Sequence, residues 1–133
     1  MRSGRNLKGG EKGRRKKTLR GNWEKWRNTS TDQLCEAILC LETMEECYAF
    51  LEDIATIAEI KALAQRFEVA KLLAEGYTYA KVAEKTGASS ATISRVKRAL
   101  EYGAGGYSLV IDRLKKKSGE ETKEETSSGS SDI

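Results

Sequence analysis

Histidine is absent from the 133-residue chain, and Cys35, Cys40 and Cys47 are its only thiols. Three cysteines within helix-like segments, with no imidazole to complete a tetrahedral set, argue against a zinc or redox centre and predict reduced, buried structural thiols. No uncharged apolar run is long enough to span a bilayer, and the basic start has no apolar segment of the kind a signal peptide needs. A cytoplasmic chain with no membrane partner is therefore expected. Catalysis lacks its usual parts as well: there is no phosphate-cradling glycine loop and no nucleophile placed beside a base. These absences point to a binding protein that is not an enzyme and carries no metal or cofactor.

The net charge of +4 hides a strong segregation. Residues 1–28 carry 11 Lys/Arg against Glu11 and Glu24, whereas residues 29–60 carry 8 acids and no base. Residues 61–117 return to 12 bases against 5 acids, and residues 118–133 set Lys123 against 5 acids. A basic unit attached to an acidic scaffold favours phosphate on one side and repels it on the other. The polar ends leave room for one compact domain of about 85 to 90 residues, expected at 29–117.

Within that domain the stretch from Tyr79 to Arg98 has the pattern of a helix-turn-helix, with the motif expected over 78–101. Val82 and Ala83 give the first helix an apolar face, and Gly87 falls where the turn needs a left-handed residue. Ile93, Val96 and Leu100 recur at helical spacing and form one stripe. Ala91, Ser94, Arg95 and Arg98 then project to the opposite side, flanked by Thr92 and Lys97. Small residues let a backbone enter the major groove, while hydroxyls and guanidinium groups reach base edges and phosphates. Ser89, Ser90, Thr92, Ser94, Arg95, Lys97 and Arg98 are thus the candidate DNA-binding residues. A helical hairpin with a solvated basic face is the plainer alternative.

The remainder reads as helices between polar ends. Residues 1–28 form a basic arm expected to be disordered, suited to lying along phosphate or simply to solubilising the chain. Trp23 and Trp26 stand three apart within it, as packing anchors or as surfaces for stacking on bases. Ser30-x-x-Gln33 predicts a capping box and a first helix near 31–41. Thr43-x-x-Glu46 starts a second helix near 44–54, and Thr56-x-x-Glu59 a third over 57–75, ended by Gly76. The third is apolar over too wide an arc for a surface helix, so its second side is expected to meet another copy of the chain. Three glycines at 103, 105 and 106 must break the recognition helix. A short last helix near 107–116 follows, with Lys115, Lys116 and Lys117 favouring its C-terminal dipole. The Ser-rich acidic tail, 118–133, is expected to be disordered.

Leu34-x-x-Ala37-Ile38-x-x-Leu41, Glu45-Glu46-Cys47-Tyr48, Ala64-Gln65-Arg66-Phe67-Glu68-Val69-Ala70, Thr86-Gly87-Ala88-Ser89 and Ala91 to Arg98 together resemble the YerC/YecD-type members of the trp repressor superfamily. The likeness runs from about Asp32 to Leu114. It implies an all-α, TrpR-like multi-helical domain and an intertwined homodimer whose helix-turn-helix heads bind a palindromic operator in double-stranded DNA. In the tryptophan-binding members a corepressor lies between the long core helix and the recognition helix, and three of its partners correspond here to Thr56, Arg66 and Arg95. These form a possible effector pocket, since paired arginines suit an amino acid. Val96 stands where those repressors have Gly beneath the indole, and Ala99 where a Ser meets the amino group. Both departures weigh against tryptophan and leave the existence of a small-molecule corepressor open. Thr56 is equally well read as a helix N-cap, and Arg66 as an ion-pair partner or phosphate contact.

The resulting expectation is a sequence-specific transcription regulator, a repressor. Two other functions fit parts of the chain: a helix-turn-helix subunit of a transposition system, and an interaction protein whose basic arm binds nucleic acid non-specifically.

Overall fold

A computed structural model describes residues 19–131, with side chains through residue 119. All regular structure among the described residues is helical, with no strand among them. A single 3-10 turn at Trp23–Lys25 precedes α1 (Thr29–Leu39), α2 (Met44–Ile54), α3 (Ile57–Ala74), α4 (Tyr79–Thr86), α5 (Ser90–Tyr102) and α6 (Gly106–Ser131). The all-α expectation is met. No helix among the described residues is long and apolar enough to cross a membrane.

Hydroxyl caps set most of the helix starts. Thr43 Oγ1 accepts from Glu46 N at 3.1 Å, and Thr56 Oγ1 accepts from Glu59 N at 3.1 Å. Glu59 Oε1 in return accepts from Thr56 N at 2.8 Å, which completes a capping box and satisfies two otherwise orphaned donors. The first helix departs from the Ser30-x-x-Gln33 reading. Its cap is Asn28, which accepts from Thr31 N at 2.9 Å while Asn28 N donates to Thr31 Oγ1 at 2.8 Å. Asn is a strong N-cap, so the helix begins at Thr29.

Residues Asn22–Val96 form one compact unit, and the remaining described residues form a second. The core of the first unit is Val69 and Ala70 of α3, Val82 of α4, Ala88 of the turn, and Ile93 and Val96 of α5. α3 packs on α4, and Gln65 Nε2 adds a hydrogen bond to the carbonyl oxygen of Thr86 at 3.3 Å. In contrast, α1 and α2 bury no residue at all. Ile38 is 50 % exposed and Leu39 83 % exposed. Cys35 and Cys40 are exposed and Cys47 partly so, which corrects the expectation of buried thiols. They lie on or beside α1 and α2, whose apolar stripes are nowhere fully buried within their own chain.

The second unit holds Leu19 to Gly21 and the chain from Lys97 onward. Two further expectations change here. Arg20 and the 3-10 turn give definite structure to the end of the arm expected to be disordered through residue 28; the arm before Leu19 lies outside the described residues. At the other end, α6 continues to Ser131 rather than stopping near 116 before a disordered tail. The tail has no proline, and between Gly119 and Gly129 its Glu and Lys residues are good helix formers. Lys115 to Lys117 consequently lie mid-helix and cannot serve its C-terminal dipole.

Candidate nucleic-acid interface

The turn between α4 and α5 is built by three adjacent residues. Gly87 takes φ +73°, a left-handed conformation that closes α4 and redirects the chain. Thr86 Oγ1 donates to Val82 O at 2.8 Å and accepts from Ala88 N at 3.1 Å, so one hydroxyl spans the helix end and the turn. Ala88 is buried with Val82, Ile93 and Val96.

Ser89 then starts α5. Its Oγ accepts from Thr92 N at 3.1 Å and donates to Thr92 Oγ1 at 3.1 Å. Of the residues read as DNA contacts, Ser89 and Thr92 are therefore also engaged with each other as the helix cap. Ser90, Ser94, Arg95 and Arg98 are exposed, and Thr92 and Lys97 lie half-buried on the flanks. Neither Arg95 nor Arg98 makes a hydrogen bond or ion pair among the described residues. Lys97 is paired, with Nζ 3.2 Å from Glu101 Oε2. The buried stripe and the exposed face of α5 occupy opposite sides of one helix, as amphipathic spacing requires.

Two residues next to this face were missed by sequence reasoning. Tyr102 is 76 % exposed and lies four residues beyond Arg98 and seven beyond Arg95, on the same side of the helix. Its helical spacing was the available signal. Arg20 donates from Nη2 to the Glu101 carbonyl oxygen at 2.7 Å, and its backbone N–H to Ala104 O at 3.0 Å. A contact across 81 positions leaves no local trace in sequence.

The possible effector residues lie apart in role. Thr56 uses its hydroxyl as the cap of α3, whereas Arg66 and Arg95 are both exposed. Val96 is 2 % exposed, so its side chain fills core volume. Elsewhere, Trp23, Trp26, Arg27, Thr31, Asp32 and Cys35 line a cleft of about 390 Å³. Arg27 Nε lies 2.8 Å from Asp32 Oδ1, and this hydrogen-bonded ion pair pushes the guanidinium pKa further up. Trp26 is 62 % exposed beside it, a weaker anchor than its spacing suggested. Among the described residues no group of His, Cys, Asp and Glu is arranged to hold a metal ion.

Comparison with known proteins places this geometry. The family model for the Trp repressor protein matches residues 29–115. The chain is 52 % identical over 105 residues to the uncharacterised protein YerC of Bacillus subtilis (strain 168), covering 79 % of this chain and 96 % of that protein. Among solved structures, a proposed Trp repressor from Staphylococcus aureus is 48 % identical with TM-score 0.69, over 72 % of this chain and 96 % of its own. A TrpR-like protein from Eubacterium eligens ATCC 27750 is 55 % identical with TM-score 0.66, over 68 % and 94 % of the two chains. The helix-turn-helix, its turn and the long α3 all fall inside the family match, and the chain belongs to the Trp repressor family, among its YerC/YecD-type TrpR-like members.

Proposed function

We propose that this protein is a sequence-specific DNA-binding transcription regulator, a repressor, that binds a palindromic operator as a homodimer. The observation that carries the reading is the outward face of α5, where Arg95 and Arg98 are exposed and engage no partner among the described residues. Such a face can enter a major groove, with Ser90 and Ser94 near the helix start for bases or phosphate and the guanidinium groups for guanine or phosphate. Ser89 and Thr92 serve by fixing the helix start, and their hydroxyls retain capacity for a phosphate contact. Lys97 reaches phosphate by exchanging its exposed pairing with Glu101, which costs little.

Homodimerisation is supported by the uncovered helices. α1 and α2 are amphipathic yet bury nothing, and Ile57 and Leu63 of α3 are exposed as well. Covering such stripes with a second copy removes a large apolar area from water and gives the two-fold symmetry a palindrome mirrors.

The reading is tested by measuring duplex affinity of the full chain and of the double variant Arg95→Ala/Arg98→Ala, on a preferred site and on a scrambled one. Loss of preference for the site is expected, with about 1–3 kcal/mol of discrimination lost per base-reading arginine. Unchanged preference in the double variant would remove this face from the interface.

A further inference from the structure

α5 closes on an exposed aromatic residue and a captured arginine. Tyr102 is the last residue of the helix and is 76 % exposed, and its hydroxyl has no partner among the described residues. At 3.6 residues per turn, Arg98 and Arg95 stand about 60° apart around the helix axis, and Tyr102 falls inside that arc. The ring therefore continues the basic outward face to the end of the helix. Arg20 reaches the same end from 81 positions away. Its Nη2 donates to the Glu101 carbonyl oxygen at 2.7 Å, and its backbone N–H donates to Ala104 O at 3.0 Å.

Both acceptors are carbonyls at or just past the C-terminus of α5, where the partial negative charge of a helix repels an anion. Arg20 meets them with donors and adds a full positive charge, and the residue is exposed. The carboxylate of Glu101 is held by Lys97, with Nζ at 3.2 Å. Gly103, Ala104, Gly105 and Gly106 follow, so the stretch after Tyr102 adds no side chain larger than a methyl. A guanidinium and a phenol beside a second guanidinium, Arg98, are donors suited to phosphodiester oxygens. Arg20, Arg98 and Tyr102 belong to one compact unit. Helix length then decides which part of a duplex this end meets. A recognition helix puts its N-terminal residues on base edges. α5 has 13 residues, so Tyr102 lies about 18 Å along the axis from Ser90. A major groove is about 12 Å wide and 8.5 Å deep, so with Ser90 and Ser94 at the bases the end of α5 meets the sugar-phosphate wall.

We propose that Arg20 and Tyr102 form a phosphate-binding site at the C-terminal end of α5, next to Arg98, which grips the DNA backbone and sets how deeply the helix sits in the groove. The proposal rests on α5 being the recognition helix. The site adds affinity without base readout, because contacts to phosphate carry no sequence information.

The test uses the full chain with Tyr102→Phe, Arg20→Gln and Arg20→Lys, each binding a preferred duplex and a scrambled one across a salt series. Tyr102→Phe removes only the hydroxyl and is expected to weaken both duplexes about three- to tenfold, with sequence preference and salt dependence unchanged. Arg20→Gln is expected to weaken both about tenfold at moderate salt. Its slope of log K against log salt should fall by about 0.9, the share of one phosphate, and Arg20→Lys should restore that slope. Replacing backbone phosphates singly by neutral methylphosphonates locates the contact. At one position in each half-site the replacement should weaken the unaltered chain and leave Arg20→Gln unaffected. Unchanged affinity in either Tyr102→Phe or Arg20→Gln would overturn the proposal; a lowered urea unfolding midpoint of Arg20→Gln alongside it would make Arg20 a helix cap alone. An altered sequence preference in Tyr102→Phe would make the residue a base reader, and an altered sedimentation equilibrium would place it against a second copy of the chain; each would overturn the phosphate site. Failure of the recognition-helix reading looks different, because Arg95→Ala/Arg98→Ala would then keep the original preference. Loss of preference in that double variant, with Tyr102→Phe and Arg20→Gln binding as the original chain does, would overturn this site alone.

Discussion

The Thr86 hydroxyl accepts a hydrogen bond from the backbone N–H of Ala88 at 3.1 Å, across the turn that joins α4 and α5. The same hydroxyl donates to Val82 O at 2.8 Å. Thr86→Val keeps the shape and removes both bonds, leaving the Ala88 N–H without its hydroxyl acceptor. A loss of about 1–3 kcal/mol is expected in urea unfolding at fixed protein concentration, with Thr86→Ser much closer to the original. Equal stability of the Val variant would show that this hydroxyl does not hold the turn.

Gly87 gives the second prediction. Its φ of +73° is the left-handed region, and a Cβ placed there would meet nothing within 4 Å. The cost of Gly87→Ala is therefore conformational, about 1–2 kcal/mol, and should appear as a lower unfolding midpoint. Gly87→Asn should cost less, because Asn tolerates this conformation better.

Thr56 separates a cap from a ligand contact. Its hydroxyl accepts from Glu59 N, so Thr56→Ala should lower stability by about 1 kcal/mol, while Thr56→Ser stays near neutral. With Val96 buried in the core, tryptophan should leave operator affinity unchanged in the original protein. A large tryptophan-dependent gain in gel shift, abolished by Thr56→Ala without loss of stability, would restore the pocket.

The uncovered face of α1 yields the fourth. Ile38 is half exposed within one chain, so Ile38→Glu would be nearly silent in a monomer. In a dimer that buries this stripe it forces a carboxylate into an apolar contact and should shift the assembly to monomer. Sedimentation equilibrium reads the difference, and operator affinity should fall with it. An unaltered monomer in the original protein would contradict the dimer directly.

These features were unequally legible in the sequence. Thr43, Thr56 and Gly87 act through neighbours within four positions, and helical spacing separated the buried Ile93 and Val96 from the exposed Arg95 and Arg98. The start of α1 was displaced because Asn28, just before the Ser30 signal, is itself a strong cap. The end of α6 was hidden for the opposite reason: Gly119 marks a stop in the sequence, yet the good helix formers after it carry the helix onward. Cysteine burial could not be read at all, since an apolar stripe does not say whether its own chain covers it. Arg20 marks the firmest boundary, because its partners at Glu101 and Ala104 are set by tertiary structure.

The most direct measurement is selection of bound sequences from a random duplex library by the purified full chain at fixed moderate salt. A two-fold symmetric site, with half-sites about one helical turn apart, is the predicted result. Enrichment of no sequence, with binding that falls equally on all duplexes as salt rises, would contradict a sequence-reading dimer.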